Sequence, residues 1–111
     1  MKLNRREVEV QAGGLGFLAR RGGCFFWRNN SGVFSPRPGS FVRAGIKGAA
    51  DILCVLAPAG RLAGIECKRE VGGRVSPAQK AWGEALEAVG GLYVVARSVD
   101  DVAKALGPRS S

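Results

Sequence analysis

At 111 residues the chain has room for one domain burying roughly two-thirds of its unfolded surface, and its 46% hydrophobic and 23% charged content is ordinary for a globular protein. Seventeen Lys and Arg against nine Asp and Glu leave a net charge of +8, and the pI near 10.3 favours a polyanionic partner, nucleic acid most simply, although small basic proteins need bind nothing. With no histidine in the chain, Ser-His and Cys-His catalysis and histidine-ligated zinc are excluded.

The three cysteines (Cys24, Cys54 and Cys67) lack zinc-finger spacing and fall in predicted strands, so buried, reduced thiols are expected. The apolar runs are too short to span a bilayer, and Met1-Lys-Leu-Asn-Arg-Arg-Glu7 lacks the apolar core of a signal peptide. The chain is expected to stay in the cytoplasm.

From Asn4 to about Arg20 the pattern predicts a helix, with Asn4 and Glu7 in capping-box spacing and Val10, Leu15, Phe17 and Leu18 as its apolar stripe. Gly13, Gly14 and Gly16 oppose it at up to about 1 kcal/mol each. The helix therefore depends on tertiary packing, or its backbone approaches something closely. Cys24-Phe-Phe-Trp27 is a strand by aromatic content. Arg28 to Gly48 reads as a long basic loop with a short strand at Ser40 to Arg43. A hairpin follows at 51–56 and 62–68, joined by Ala57-Pro-Ala-Gly60, and then a basic loop from Arg69 to Val75.

Ser76-Pro77 is an N-cap with proline at the first helical position. The helix from Ala78 to Val89 is expected to face Ala81, Ala85, Leu86 and Val89 inward, with Gly90-Gly91 at its end. Leu92 to Ala96, apolar throughout, reads as a central strand. Ser98 caps a last helix, Val99 to Leu106, with Asp100 and Asp101 in its first turn, and Gly107 to Ser111 is expected to fray. The predicted order is α-β-β-β-α-β-α in a single α/β domain with its core over about 4–106.

The chemistry concentrates in the hairpin. Asp51 opens one apolar run and Glu66-Cys-Lys68 closes the next. Side-chain alternation puts Glu66 and Lys68 on one face, and antiparallel pairing would bring Asp51 beside Glu66. Two carboxylates can hold Mg²⁺ together with waters and substrate phosphate, and a nearby lysine can orient or help deprotonate a water. Separately, each residue has an ordinary reading: a strand-edge aspartate and a cross-strand ion pair. Glu7 or Glu9 can supply a third carboxylate, or be helix-surface charge. Gln79 can contact a scissile phosphate or metal-bound water, or be a surface glutamine. Arg28, Asn30, Ser31, Arg43, Lys47, Arg69, Arg74 and Lys80 are candidate DNA contacts. Trp27 and Trp82 read as core or interface residues.

Glu7-x-x-x-Gln11, Trp27-Arg-Asn-Asn-Ser-Gly32, Gly45-Ile-Lys-Gly-Ala-Ala-Asp51, Ile65-Glu-Cys-Lys68 and Ser76-x-x-Gln79-x-x-Trp82 together resemble the VRR-NUC (virus-type replication-repair nuclease) branch of the PD-(D/E)XK superfamily. The resemblance covers about residues 4–106, with Ala50 where the superfamily name has proline. It implies a restriction-endonuclease-like core, dependence on Mg²⁺ or Mn²⁺, and DNA phosphodiester cleavage. It assigns Asp51, Glu66 and the Cys67 carbonyl to the metal, Lys68 to the attacking water, Gln79 to a supporting role and Glu7 to the helix-one glutamate. Stand-alone members resemble Holliday-junction resolvases, which implies a homodimer acting on branched DNA. Phe25-Phe26-Trp27 and the apolar side of the first helix are the candidate dimer surfaces. A flap or duplex nuclease, and a non-catalytic basic module, are the alternatives.

Overall fold

Three helices and a four-stranded sheet follow the chain in the expected order in a computed structural model, which describes residues 6–29 and 32–109. Helix α1 (Glu7–Arg21) starts from Arg6 as N-cap without a side-chain cap bond, and Asn4 lies outside the described residues. Val10, Gly14 and Leu18, four residues apart, make its buried face. The glycines have the close-approach role. A Cβ on Gly13 would come 2.6 Å from Val99 Cγ2 in α3 (Val99–Leu106), so the two helices meet where there is no side chain to separate them.

The main sheet runs β1 (Cys24–Arg28), β4 (Ile52–Leu56), β5 (Arg61–Cys67), β6 (Leu92–Ala96). The first three strands are antiparallel, and β6 lies parallel to β5 after the crossover through α2 (Pro77–Ala88). The segment expected as a loop with one strand at 40–43 instead holds a separate ribbon, β2 (Gly32–Phe34) against β3 (Val42–Ala44). A strand edge left alone has unpaired backbone groups, and the second strand satisfies them.

Alternation divides the sheet cleanly. Ile52, Cys54, Ala63, Ile65, Cys67, Val94 and Ala96 share the face packed by α1 and α3, and with Val10, Leu18 and Val102 they form the buried core. Each buried Val, Leu or Ile among them contributes about 1.5–3 kcal/mol by leaving water. The opposite face is roofed by α2 over the β5–β6 side, where Trp82 lies on Gly64 so closely that a Cβ there would sit 2.6 Å from the indole ring.

Two expectations are corrected. β6 is an edge strand, not a central one, because its apolar run reflects helices packed on both faces rather than strands on both sides. In α2, Ala81, Ala85 and Val89 are exposed and Leu86 is half-buried, while the inward residue is Gly83, set against Tyr93. The Ser76 cap fixes the helix phase so that Gln79, Trp82, Gly83 and Leu86 form the stripe towards the sheet. Gly107 to Arg109, expected to fray, is tied back: the Arg21 guanidinium donates to the carbonyls of Leu106, Gly107 and Pro108. A cation collecting the orphan carbonyls of a helix end is the reason. No helix among the described residues is long and apolar enough to cross a membrane.

Candidate active site

The hairpin register pairs Ile52 with Ile65, so the next residues outward, Asp51 and Glu66, stand opposite one another. Asp51 ends the ladder in a particular way. Its backbone carbonyl accepts from the Asn29 N–H at 2.7 Å, continuing the β1–β4 pairing, while its side-chain Oδ2 accepts the Cys67 N–H at 2.8 Å. The carboxylate thus takes the place of a strand carbonyl, and this holds it against the end of β5. Asn29 also donates from Nδ2 to the Ala50 carbonyl at 3.1 Å, clamping the turn that leads into Asp51.

Glu66 is 2% exposed and Lys68 7%. The Lys68 Nζ lies 3.7 Å from Glu66 Oε2, near enough for attraction but beyond hydrogen-bond reach. That same oxygen accepts from Gln79 Nε2 at 3.0 Å. Gln79 also completes a capping box: its N–H donates to Ser76 Oγ, and its own Oε1 accepts the Ser76 N–H at 2.8 Å. The first turn of α2 therefore fixes the amide that orients Glu66. The other carboxylate oxygen, Oε1, is buried without a hydrogen-bond partner. Burial pushes the Glu66 carboxyl up to about 8, the nearby Asp51 charge adds to this, and Lys68 opposes it without prevailing.

Beside this pair is a pocket of about 300 Å³ lined by Glu7, Val8, Gln11, Arg28, Asp51 and Cys67. Glu7, at the start of α1, reaches the pocket, whereas Glu9 is turned away and bonds Arg6 at 3.1 Å on the surface. The two glutamates are two residues apart, about 200° around a helix, so only one can face the strands. The Cys67 thiol is pushed up to about 12, first by burial and then by Asp51, Glu66 and Glu7. A thiol kept protonated in the core is no ligand, and the backbone oxygen is what Cys67 has to offer a cation.

The expected basic residues divide by location. Arg28 lines the pocket. Lys47 is exposed on the loop whose Gly48 (φ +83) is pressed against the Ala78 carbonyl at the start of α2. Arg69 and Arg74 are exposed on the loop after Lys68, and Lys80 points to solvent from the first turn of α2. Asn30, Ser31 and the Arg43 side chain lie outside the described residues. The loop after Lys68 is pinned by Arg97, which donates to the carbonyls of Arg69 and Gly73.

Sequence reasoning missed Asn29 and Arg97 as positioning residues. Ending the first strand at Trp27 hid Asn29, although an asparagine after a strand commonly bonds nearby backbone. Nothing local marked Arg97.

Among the described residues no group of three or more acidic, histidine or cysteine side chains is arranged to hold a metal ion. A cation here would rest on Asp51, Glu66, a backbone oxygen and water. This hard-oxygen, water-rich set is the kind Mg²⁺ accepts, and the unpartnered Glu66 Oε1 leaves a buried oxygen for it. The chain is thus an α/β protein with a mixed four-stranded sheet and, at one end of it, a buried glutamate opposite a half-buried aspartate. Compared with known proteins, it matches no family model, no curated protein and no solved structure.

Proposed function

We propose that the chain is a Mg²⁺- or Mn²⁺-dependent DNA endonuclease of the VRR-NUC type, with a restriction-endonuclease-like core, acting on branched or four-way-junction DNA as a homodimer. One observation carries the reading: a buried glutamate faces a half-buried aspartate at the strand end, and the neighbouring cation, Lys68, does not offset the cost. A purely structural ion pair would gain from closer contact or from replacement by apolar residues. A divalent ion would resolve the conflict.

When bound, the ion supplies a water of lowered pKa and neutralises charge on the pentacovalent phosphate. Asp51, Glu66 and the Cys67 carbonyl are the residues to hold it. Gln79 keeps the Glu66 carboxylate oriented, and Asn29 keeps Asp51 at the strand end. Lys68, fixed on the same strand, orients the attacking water. Arg28, at the pocket, and Lys47, exposed on its loop, meet the phosphodiester backbone, where cationic side chains position DNA without reading its sequence.

The test is cleavage of labelled four-way-junction, flap and duplex substrates with Mg²⁺ or Mn²⁺. Paired symmetric nicks on the junction, lost in Asp51→Asn while DNA binding persists, are expected. If every substrate stays intact with either ion, the enzyme reading fails. Flaps or duplexes cut as readily as junctions would remove the junction preference, and a monomer by light scattering at micromolar concentration would remove the homodimer. The basic charge by itself also fits a non-catalytic binding module, whose salt-sensitive affinity would be indifferent to Asp51→Asn.

A further inference from the structure

Strand β1 is the sheet edge beside Asp51, and its residues divide by face. Cys24 and Phe26 pack on the core. Phe25 and Trp27 point the other way, towards the face that carries Glu66, on the part of the sheet that α2 does not roof. They are 72% and 40% exposed, and their rings lie together, with centroids 5.5 Å apart and planes tilted by 46°. Register puts Trp27 opposite Leu53, one same-face step along β4 from Asp51. With ~6.7 Å for that step and ~4.8 Å between strands, Trp27 and Asp51 backbones are roughly 8 Å apart. Two or three stacked nucleotides, at about 3.4 Å each, span such a distance.

Two exposed aromatic rings need a partner with flat apolar faces, and the chain carries a charge of +8. A second copy would bring the same positive charge against this patch. A polyanion carrying planar bases meets both demands. Arg28, the residue after Trp27, turns to the α1 side of the strand end, where it lines the pocket with Asp51.

We infer that Phe25 and Trp27 form a stacking platform for unpaired nucleobases of a DNA strand whose backbone passes Asp51, so bases unpaired at the branch point beside the cut strengthen binding. The inference rests on the nuclease reading for the position of the cut but not for the stacking. Aromatic stacking tolerates any base and favours unstacked strands over closed duplex.

Binding is measured in EDTA, so that no cleavage is needed, by titrating oligo(dT) and a blunt hairpin duplex against wild type, Phe25→Leu, Trp27→Leu and Trp27→Phe. Oligo(dT) should quench wild-type tryptophan fluorescence more than duplex does. Trp27→Leu should bind oligo(dT) about tenfold more weakly, and Phe25→Leu similarly, with duplex affinity and melting temperature unchanged. Trp27→Phe, which keeps a ring, should recover most of the loss. Equal weakening for both ligands, or none, overturns the proposal. So does a wild-type dimer that Phe25→Leu or Trp27→Leu splits, since the patch would then be covered by a second copy. Cleavage with Mn²⁺ is scored separately on Asp51→Asn, so quenching without cutting sinks only the nuclease reading, and cutting that ignores the Leu variants sinks only the platform.

Discussion

Against α1 and α3 the buried side chains of the sheet are all apolar and close into one core, while on its other face the same strands carry Glu66, Lys68 and the Phe25–Trp27 pair under the partial cover of α2. Neighbouring residues of β5 take opposite parts: Ile65 is sealed in the core, and Glu66, one position on, holds a carboxylate oxygen with no partner. Period-two alternation makes this possible, because one rigid strand can anchor itself with one face and present chemistry on the other. Stability and chemistry should then be separable by mutation, face by face.

The sharpest break between the faces is Asp51→Asn. The amide keeps an oxygen for the Cys67 N–H, so the fold should hold, while cleavage should fall by a factor of at least about 10². Circular dichroism melting and a cleavage time course read the two effects. A melting temperature that falls as far as the activity would show the faces to be coupled.

Ile65→Ala, one residue from Glu66 but on the closed face, should do the reverse. It removes a fully buried side chain and should cost about 2–5 kcal/mol in denaturant unfolding. Whatever protein remains folded should cut normally per molecule.

Glu66→Gln probes the conflict within the open face. Replacing a carboxylate that is 2% exposed should leave the metal-free protein unchanged or more stable by about 1–2 kcal/mol. Wild type should gain several degrees in melting temperature in excess Mg²⁺, and Glu66→Gln should not. Equal gains in both would mean that the ion binds elsewhere or not at all.

The closed face was the more legible in the sequence. Alternation and turn chemistry located β4, β5, the Ser76 cap and α3, because those signals are local. Asp51, Glu66 and Lys68 were legible as a group for the same reason, since a short hairpin link leaves few registers open. What failed was non-local. The edge position of β6 depends on which strand pairs with β5 across a helix, and the inward face of α2 depends on how a cap sets helix phase against the sheet. Asn29 and Arg97 act through backbone carbonyls 21 and more residues away, and no spacing rule reports such contacts.

How tightly α1 closes the core separates two neighbouring glycines. Both lie inside a helix, where alanine is favoured by up to about 1 kcal/mol. At Gly14 a Cβ would meet Ile52 Cδ1 at 3.5 Å, an ordinary contact, so Gly14→Ala should raise stability by a few tenths to about 1 kcal/mol. At Gly13 the same methyl would stand 2.6 Å from Val99 Cγ2, and α1 would have to move away from α3. Gly13→Ala should therefore destabilise by about 1–3 kcal/mol. Because Glu7 reaches the pocket from the first turn of α1, a shifted helix also moves that carboxylate, and Gly13→Ala should lower cleavage where Gly14→Ala does not. Opposite signs for the two substitutions, read by chemical melting, would show that the closed face sets the placement of the open one through this helix. Equal signs would mean that α1 adjusts freely and that Glu7 is not held in register by the core.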